Sequence, residues 1–244
     1  MNLETIEWNP QSYSKFVEYL YTLQDLDYKN FHGKLIQNQK SLIGIRTPIL
    51  KEIAKKISKN NPYTFLQVVE HNTYEETVIH GLVIGYMKIS FDACVSLLKD
   101  FLPYNTNWAI NDITCANLKI WKTHLDEGLA IIEQYLKNEN LWIRRFGLVL
   151  LLDFYVNDDY IDTILKIIPA ISGSEYYVGM ANAWLISVCF VHYPEKTKVL
   201  LESNKLDSFT QKHAIQKILE SNRISLEEKE NMRKLREHLG KSLI

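Results

Sequence analysis

The sequence predicts an all-α chain, folded as an α-solenoid of stacked helix pairs. Three observations predict it. Apolar residues recur at helical spacing along nearly the whole chain. Long apolar helices are expected to open near Glu75, Asn107, Asn140, Glu175 and Ser208, at steps of about 33 residues. The 9 glycines and 6 prolines among 244 residues are too few for the many turns of a sandwich or barrel. No segment shows sustained alternation bounded by turn residues, so no strand is expected.

The elements follow in order. Phe16, Tyr19, Leu20 and Leu23 form the apolar stripe of a first helix. The next helix opens just after Thr47, with Pro48 at its first position, where a missing N–H costs nothing. Its expected core stripe is Ile49, Ile53, Ala54 and Ile57, and its other face carries Lys51, Lys55, Lys56 and Lys59. Shorter helices are expected between the long ones, over 63–71, 91–101, 126–137, 160–168 and 195–202. Asn, Asp, Ser and Pro gather at the joints, as in 103–107, 137–140 and 171–174. Each pair then buries its stripe only against its neighbours. The polar stretch 225–241 suits an end cap, and no linker interrupts a single domain spanning 1–244. The interval 26–42 contains Gly33 and lacks an amphipathic stripe, so no helix is expected there.

Composition narrows the function. With 28 Lys and Arg against 29 Asp and Glu, the net charge of −1 excludes a strongly basic nucleic-acid binder, though not a local basic patch. Cys94, Cys115 and Cys189 sit apart in apolar runs and read as buried thiols of a reducing compartment. The acidic start has no apolar signal region, and the run Leu148 to Leu152 stops at Asp153, far short of the ~20 residues of a membrane span. A soluble, cytoplasmic monomer is expected. The seven histidines are scattered, and no pair invites a catalytic role.

The repeat has a chemical consequence. Residues one period apart occupy equivalent positions on successive long helices. Asp112 and Arg145 are so related, and Trp108 lies one turn before Asp112. Trp108, Asp112 and Arg145 are therefore expected on one surface of the array.

Five stretches in order carry a resemblance. They are Gly44-Ile45-Arg46-Thr47-Pro48, Asn107-Trp108-Ala109-Ile110-Asn111-Asp112, Leu141-Trp142-Ile143-Arg144-Arg145, Ala183-Trp184, and the helix from Lys212 to Ile218. Together, over roughly residues 14–222, they resemble the DNA alkylation repair family of AlkD-type DNA glycosylases. The resemblance implies HEAT-like repeats with a concave, locally basic face that holds double-stranded DNA. It implies release of cationic alkylpurines, such as 3-methyladenine and 7-methylguanine, without drawing the base into a pocket. Trp108 and Asp112 match the residues that approach the deoxyribose, Arg145 a phosphate-binding arginine, and Trp184 an aromatic wall. Arg144, Arg46, Lys51 and Lys55 are the further candidate DNA contacts. No metal or cofactor is implied, and no metal-ligand spacing occurs. In active members an extra helix, placed before the Gly44 motif, enters the minor groove; the interval 26–42 departs from that pattern. Met180 and Ser187 stand near Trp184 where active members carry basic residues.

Plainer readings stand beside these. Trp108 suits a core position, and Asp112 and Arg145 suit an ion pair bridging stacked helices. The Lys51–Lys59 face suits simple solvation as well as phosphate contact. Trp121 and Trp142 read as packing; the aromatic pair Tyr176-Tyr177 near Trp184 suits a stack on a base or packing, and packing is the favoured reading. The alternatives to a glycosylase are a catalytically silent paralogue that binds DNA weakly, and a protein-interaction solenoid.

Overall fold

The computed structural model describes residues 1–36, 41–171 and 173–241, the last three of these as backbone. Among the described residues there is no strand, and one isolated bridge joins Ser41 to Thr73. The described residues form fourteen α-helices in order: α1 Pro10–Thr22, α2 Leu26–Leu35, α3 Thr47–Ile57, α4 Pro62–Val68, α5 Tyr74–Tyr86, α6 Phe91–Phe101, α7 Trp108–Asn117, α8 Leu125–Leu136, α9 Leu141–Phe154, α10 Ile161–Ile167, α11 Tyr176–His192, α12 Pro194–Glu202, α13 Ser208–Glu220 and α14 Leu226–Lys241. The five long helices open within a residue or so of their expected starts; of the five shorter ones, α4 precedes the first and the other four lie between them. The chain folds as two compact units, Met1–His124 and Leu125–Ile244.

Side-chain caps explain where the long helices begin. Thr73 opens α5, Asn107 opens α7, Asn140 opens α9 and Asp207 opens α13, each accepting a bond from a first-turn N–H. Each such cap contributes about 1 kcal/mol.

In the first unit, α5 is the central element. Tyr74 to Ile84 are buried on every side, because α3 and α7 flank the helix and α6 packs behind it. Glu75, in its first turn, has no solvent exposure. Its carboxylate accepts the backbone N–H groups of Ile43 at 2.9 Å, Gly44 at 2.7 Å and Ile45 at 3.1 Å. Three charge-assisted bonds offset its desolvation. Beside it, Glu76 completes a capping box with Thr73 and accepts the Tyr13 hydroxyl. Burial and the Glu76 charge push that phenol's pKa up.

The Gly44 loop has a second set of bonds. Asp25 N–H donates to the Gly44 carbonyl at 3.0 Å, and the Gln24 amide donates to the Ile43 carbonyl at 2.8 Å. Gly44 sits at φ +100°, and a Cβ there would meet Lys29 Cβ at 2.5 Å. The loop thus ties α5 to the start of α2.

Two expectations are corrected here. The interval 26–42 does form a helix, α2, over its first ten residues, capped by Asp25, which accepts Tyr28 N–H at 2.9 Å. Residues 37–40 of that interval lie outside the described residues. On α3, Ile49 is exposed, and Leu50 takes its place in the buried stripe with Ile53, Ala54 and Ile57.

In the second unit, α11 packs between α9 and α13, while α8, α12 and α14 cover their outer faces. This is the neighbour-on-neighbour packing of an α-solenoid. Leu226–Lys241 forms the polar terminal helix expected. All three cysteines are buried and none is in a disulfide, and burial pushes Cys94 and Cys189 up to about 12. No helix among the described residues is long and apolar enough to cross a membrane.

Replacing Glu75 by Ala leaves three buried N–H groups without an acceptor. The variant should lose about 3 kcal/mol or more of unfolding free energy in a urea titration. A loss below about 0.5 kcal/mol would show that the anchor is dispensable.

Candidate functional site

Asn107 sets the start of α7, accepting Ala109 N–H at 2.6 Å, and so fixes where Trp108 stands. Trp108 is half-buried in the first turn, and its indole N–H donates to the Leu35 carbonyl at 3.3 Å. Leu35 is the last residue of α2, so that helix end and the indole hold each other. Asp112 lies one turn further on, also half-buried. The first unit therefore brings an aromatic face and a carboxylate to one face of one helix, with the α2 terminus beside them. Arg145, expected alongside, lies in the second unit.

The basic candidates are mostly engaged. Arg46, with 57% of its side chain exposed, pairs with Asp25 at 2.9 Å, and its guanidinium lies 5.1 Å from the Tyr28 ring centre. The Tyr28 N–H and the Arg46 guanidinium hold the Asp25 carboxyl below its usual range. Lys55 pairs with Glu52 at 2.7 Å within α3, and Lys51 is half-exposed on the same helix. In the second unit, Arg145 is only 6% exposed and donates to the Tyr177 carbonyl at 2.9 Å. Arg144 pairs with Glu175 and donates to the Asn138 carbonyl at 3.0 Å. Trp184 is half-buried within α11, and its carbonyl accepts the Ser187 hydroxyl at 2.8 Å.

A model of the DNA alkylation repair enzyme family matches residues 17–218. The chain belongs to that family. No curated relative matches it significantly. The family match covers the Gly44 loop with Arg46, and α3, α7, α9 and α11, which hold the other candidate residues. It accords with a general role in DNA alkylation repair. Among the described residues no group of three or more His, Cys, Asp or Glu could hold a metal ion.

One cluster escapes the sequence. His71 Nε2 and His80 Nδ1 lie 2.6 Å apart, both buried, and the His71 ring stacks on Tyr104 at 3.6 Å. Their nine-residue separation is no helical spacing. It becomes contact because His71, just before α5, adopts the left-handed region at φ +61°. Burial, then the neighbouring His71, push His80 down to about 3.

That depression fixes a sign. The unfolded chain binds a proton at His80 near pH 6.5, whereas the folded chain resists it until about 3. The stability contributed is complete above pH 6.5 and declines as pH falls, by up to about 1.4 kcal/mol per pH unit. His32, pushed down by burial, adds to the same trend. Urea midpoints measured between pH 7 and pH 5 should fall, and less steeply in His80→Gln. A wild-type midpoint that stays flat over that range would contradict a His80 kept neutral by burial.

Proposed function

We propose that the protein is an AlkD-type DNA glycosylase, hydrolysing the N-glycosidic bond of cationic alkylpurines in duplex DNA. The observation that carries this reading is the pairing of Trp108 and Asp112 one turn apart on α7, with the indole fixed by its bond to the α2 terminus. The presence of α2 adds to it, since an extra helix before the Gly44 motif is what the resemblance implies for active members.

The chemistry asks little of the protein. An alkylated purine such as 3-methyladenine or 7-methylguanine carries a positive charge in DNA, so it leaves with the glycosidic electron pair and becomes neutral. It needs no general acid. The sugar left behind develops oxocarbenium character. The Asp112 carboxylate stabilises that charge and orients a water for attack at C1′, the water's proton passing to solvent. The Trp108 indole adds cation–π attraction of roughly 0.5–2 kcal/mol. Arg46, Lys51, Lys55, Arg144, Arg145 and Trp184 are proposed as DNA contacts, Arg145 acting from beneath the surface of α9. Phosphate contacts of this kind make binding fall with salt.

One observation favours a second reading, a protein that binds DNA without excising bases. Arg46, Lys55 and Arg144 each spend their charge on an internal carboxylate, which weakens their hold on phosphate.

The test is release of labelled 3-methyladenine and 7-methylguanine from methylated duplex DNA. Asp112→Asn should lower the single-turnover rate by about 100-fold or more, with its melting temperature little changed. Trp108→Ala should lower it by roughly 2- to 30-fold. Equal release by wild type and Asp112→Asn would remove Asp112 from the chemistry; salt-sensitive DNA binding with no release would favour the second reading.

A further inference from the structure

Tyr176 does not pack away as its sequence suggests. At the first position of α11 its side chain is 58% exposed, yet it is not loose. The Tyr177 ring meets it edge-on at 5.2 Å and 84°, and the Phe209 ring at 6.0 Å and 73°. Those two rings are themselves seated. Tyr177 lies 4.8 Å from Trp142 of α9, and Phe209 stacks on His213 at 4.0 Å within α13. Gly179 makes room for Phe209, since a Cβ there would lie 2.7 Å from its ring. Trp142, Tyr177, Tyr176, Phe209 and His213 thus form one chain of aromatic contacts across the starts of α9, α11 and α13, all within the second unit.

The charge along this chain suits an anion. Three helices begin there, each presenting the positive end of its dipole. Lys212 is exposed on α13, next to His213. The carboxylates that immediately precede α11 and α13 are occupied: Glu175 by Arg144, and Asp207 by the N–H groups of Gly173 and Thr210 at 2.9 Å. A rigid, exposed ring beside positive charge is the arrangement that stacks bases of a single strand while its phosphates are met by cations.

We propose that Tyr176 is a stacking platform for an unpaired base, so that the second unit takes up single-stranded nucleotides flanking a duplex. The inference rests on the DNA-binding reading above, and not on excision. Edge-on contacts from Tyr177 and Phe209 pre-set the ring, so little side-chain freedom is lost when a base settles on it.

The test is fluorescence anisotropy with two labelled probes, a blunt duplex and the same duplex bearing a short single-stranded thymine tail. The wild-type protein should bind the tailed probe about tenfold more tightly than the blunt one. Tyr176→Ala should abolish that difference and leave blunt-duplex affinity and melting temperature unchanged, whereas Tyr176→Phe should retain it. Equal binding of both probes by wild type, or a preference that survives Tyr176→Ala, overturns the platform while leaving the duplex-binding reading in place. Binding of neither probe overturns both. A wild-type dimer that Tyr176→Ala converts to monomer, with binding of both probes unaltered, overturns it in favour of a protein-docking surface.

Discussion

Glu75 places a carboxylate with no solvent exposure against three backbone N–H groups that belong to no helix. A charge so buried is costly unless its lone pairs are met, and the loop 43–45 meets them. The constraint works in both directions. The loop satisfies the carboxylate, and the carboxylate fixes a loop that has no regular structure to hold it. From the other side of the same loop, the Gly44 carbonyl takes the Asp25 N–H, and Asp25 caps α2. The far end of α2 takes the Trp108 indole N–H. A line of hydrogen bonds therefore runs from the core helix α5 through an irregular loop and a short helix to the proposed catalytic tryptophan.

This line explains why the Gly44 stretch has the form it does. Gly44 is needed where φ is positive and where Lys29 and Asp25 crowd its α-carbon. Arg46, just beyond, reaches back to Asp25 and lies over Tyr28. A residue that resembles a DNA contact in sequence thus also clamps the start of α2. Those roles compete. A phosphate drawing Arg46 away would loosen the same helix that positions Trp108.

The helices were legible because burial on one face leaves a periodic trace. Asn107 and Asn140 mark the starts of α7 and α9 through capping chemistry that the sequence displays directly. The helix α2 left no such trace. Leu26, Phe31 and Leu35 stay exposed, so there is no buried stripe to read, and its local signals were at its ends: Asp25 as a cap, Asp27 in the first turn and Lys34 in the last. Ile49 misled for a related reason: in a first turn either Ile49 or Leu50 fits the spacing, and packing chose Leu50. At the candidate site, Trp108 and Asp112 share a face by helical spacing alone. The bond from Trp108 to Leu35 spans 73 residues, and the His71–His80 contact depends on one left-handed residue; neither has a sequence period to reveal it. The pairing of Arg46, Lys55 and Arg144 with carboxylates was likewise invisible to a count of charges.

Amide hydrogen exchange, resolved by residue, tests the anchor most directly. Ile43, Gly44 and Ile45 lie outside any helix, so their N–H groups would ordinarily exchange as fast as those of an exposed loop. If Glu75 holds them, they exchange as slowly as the core amides of α5, and the three respond together. Fast exchange at these residues, with α5 protected, would contradict the account, because α2 and the Trp108 beside it would then have no anchor through Glu75 to the core helix.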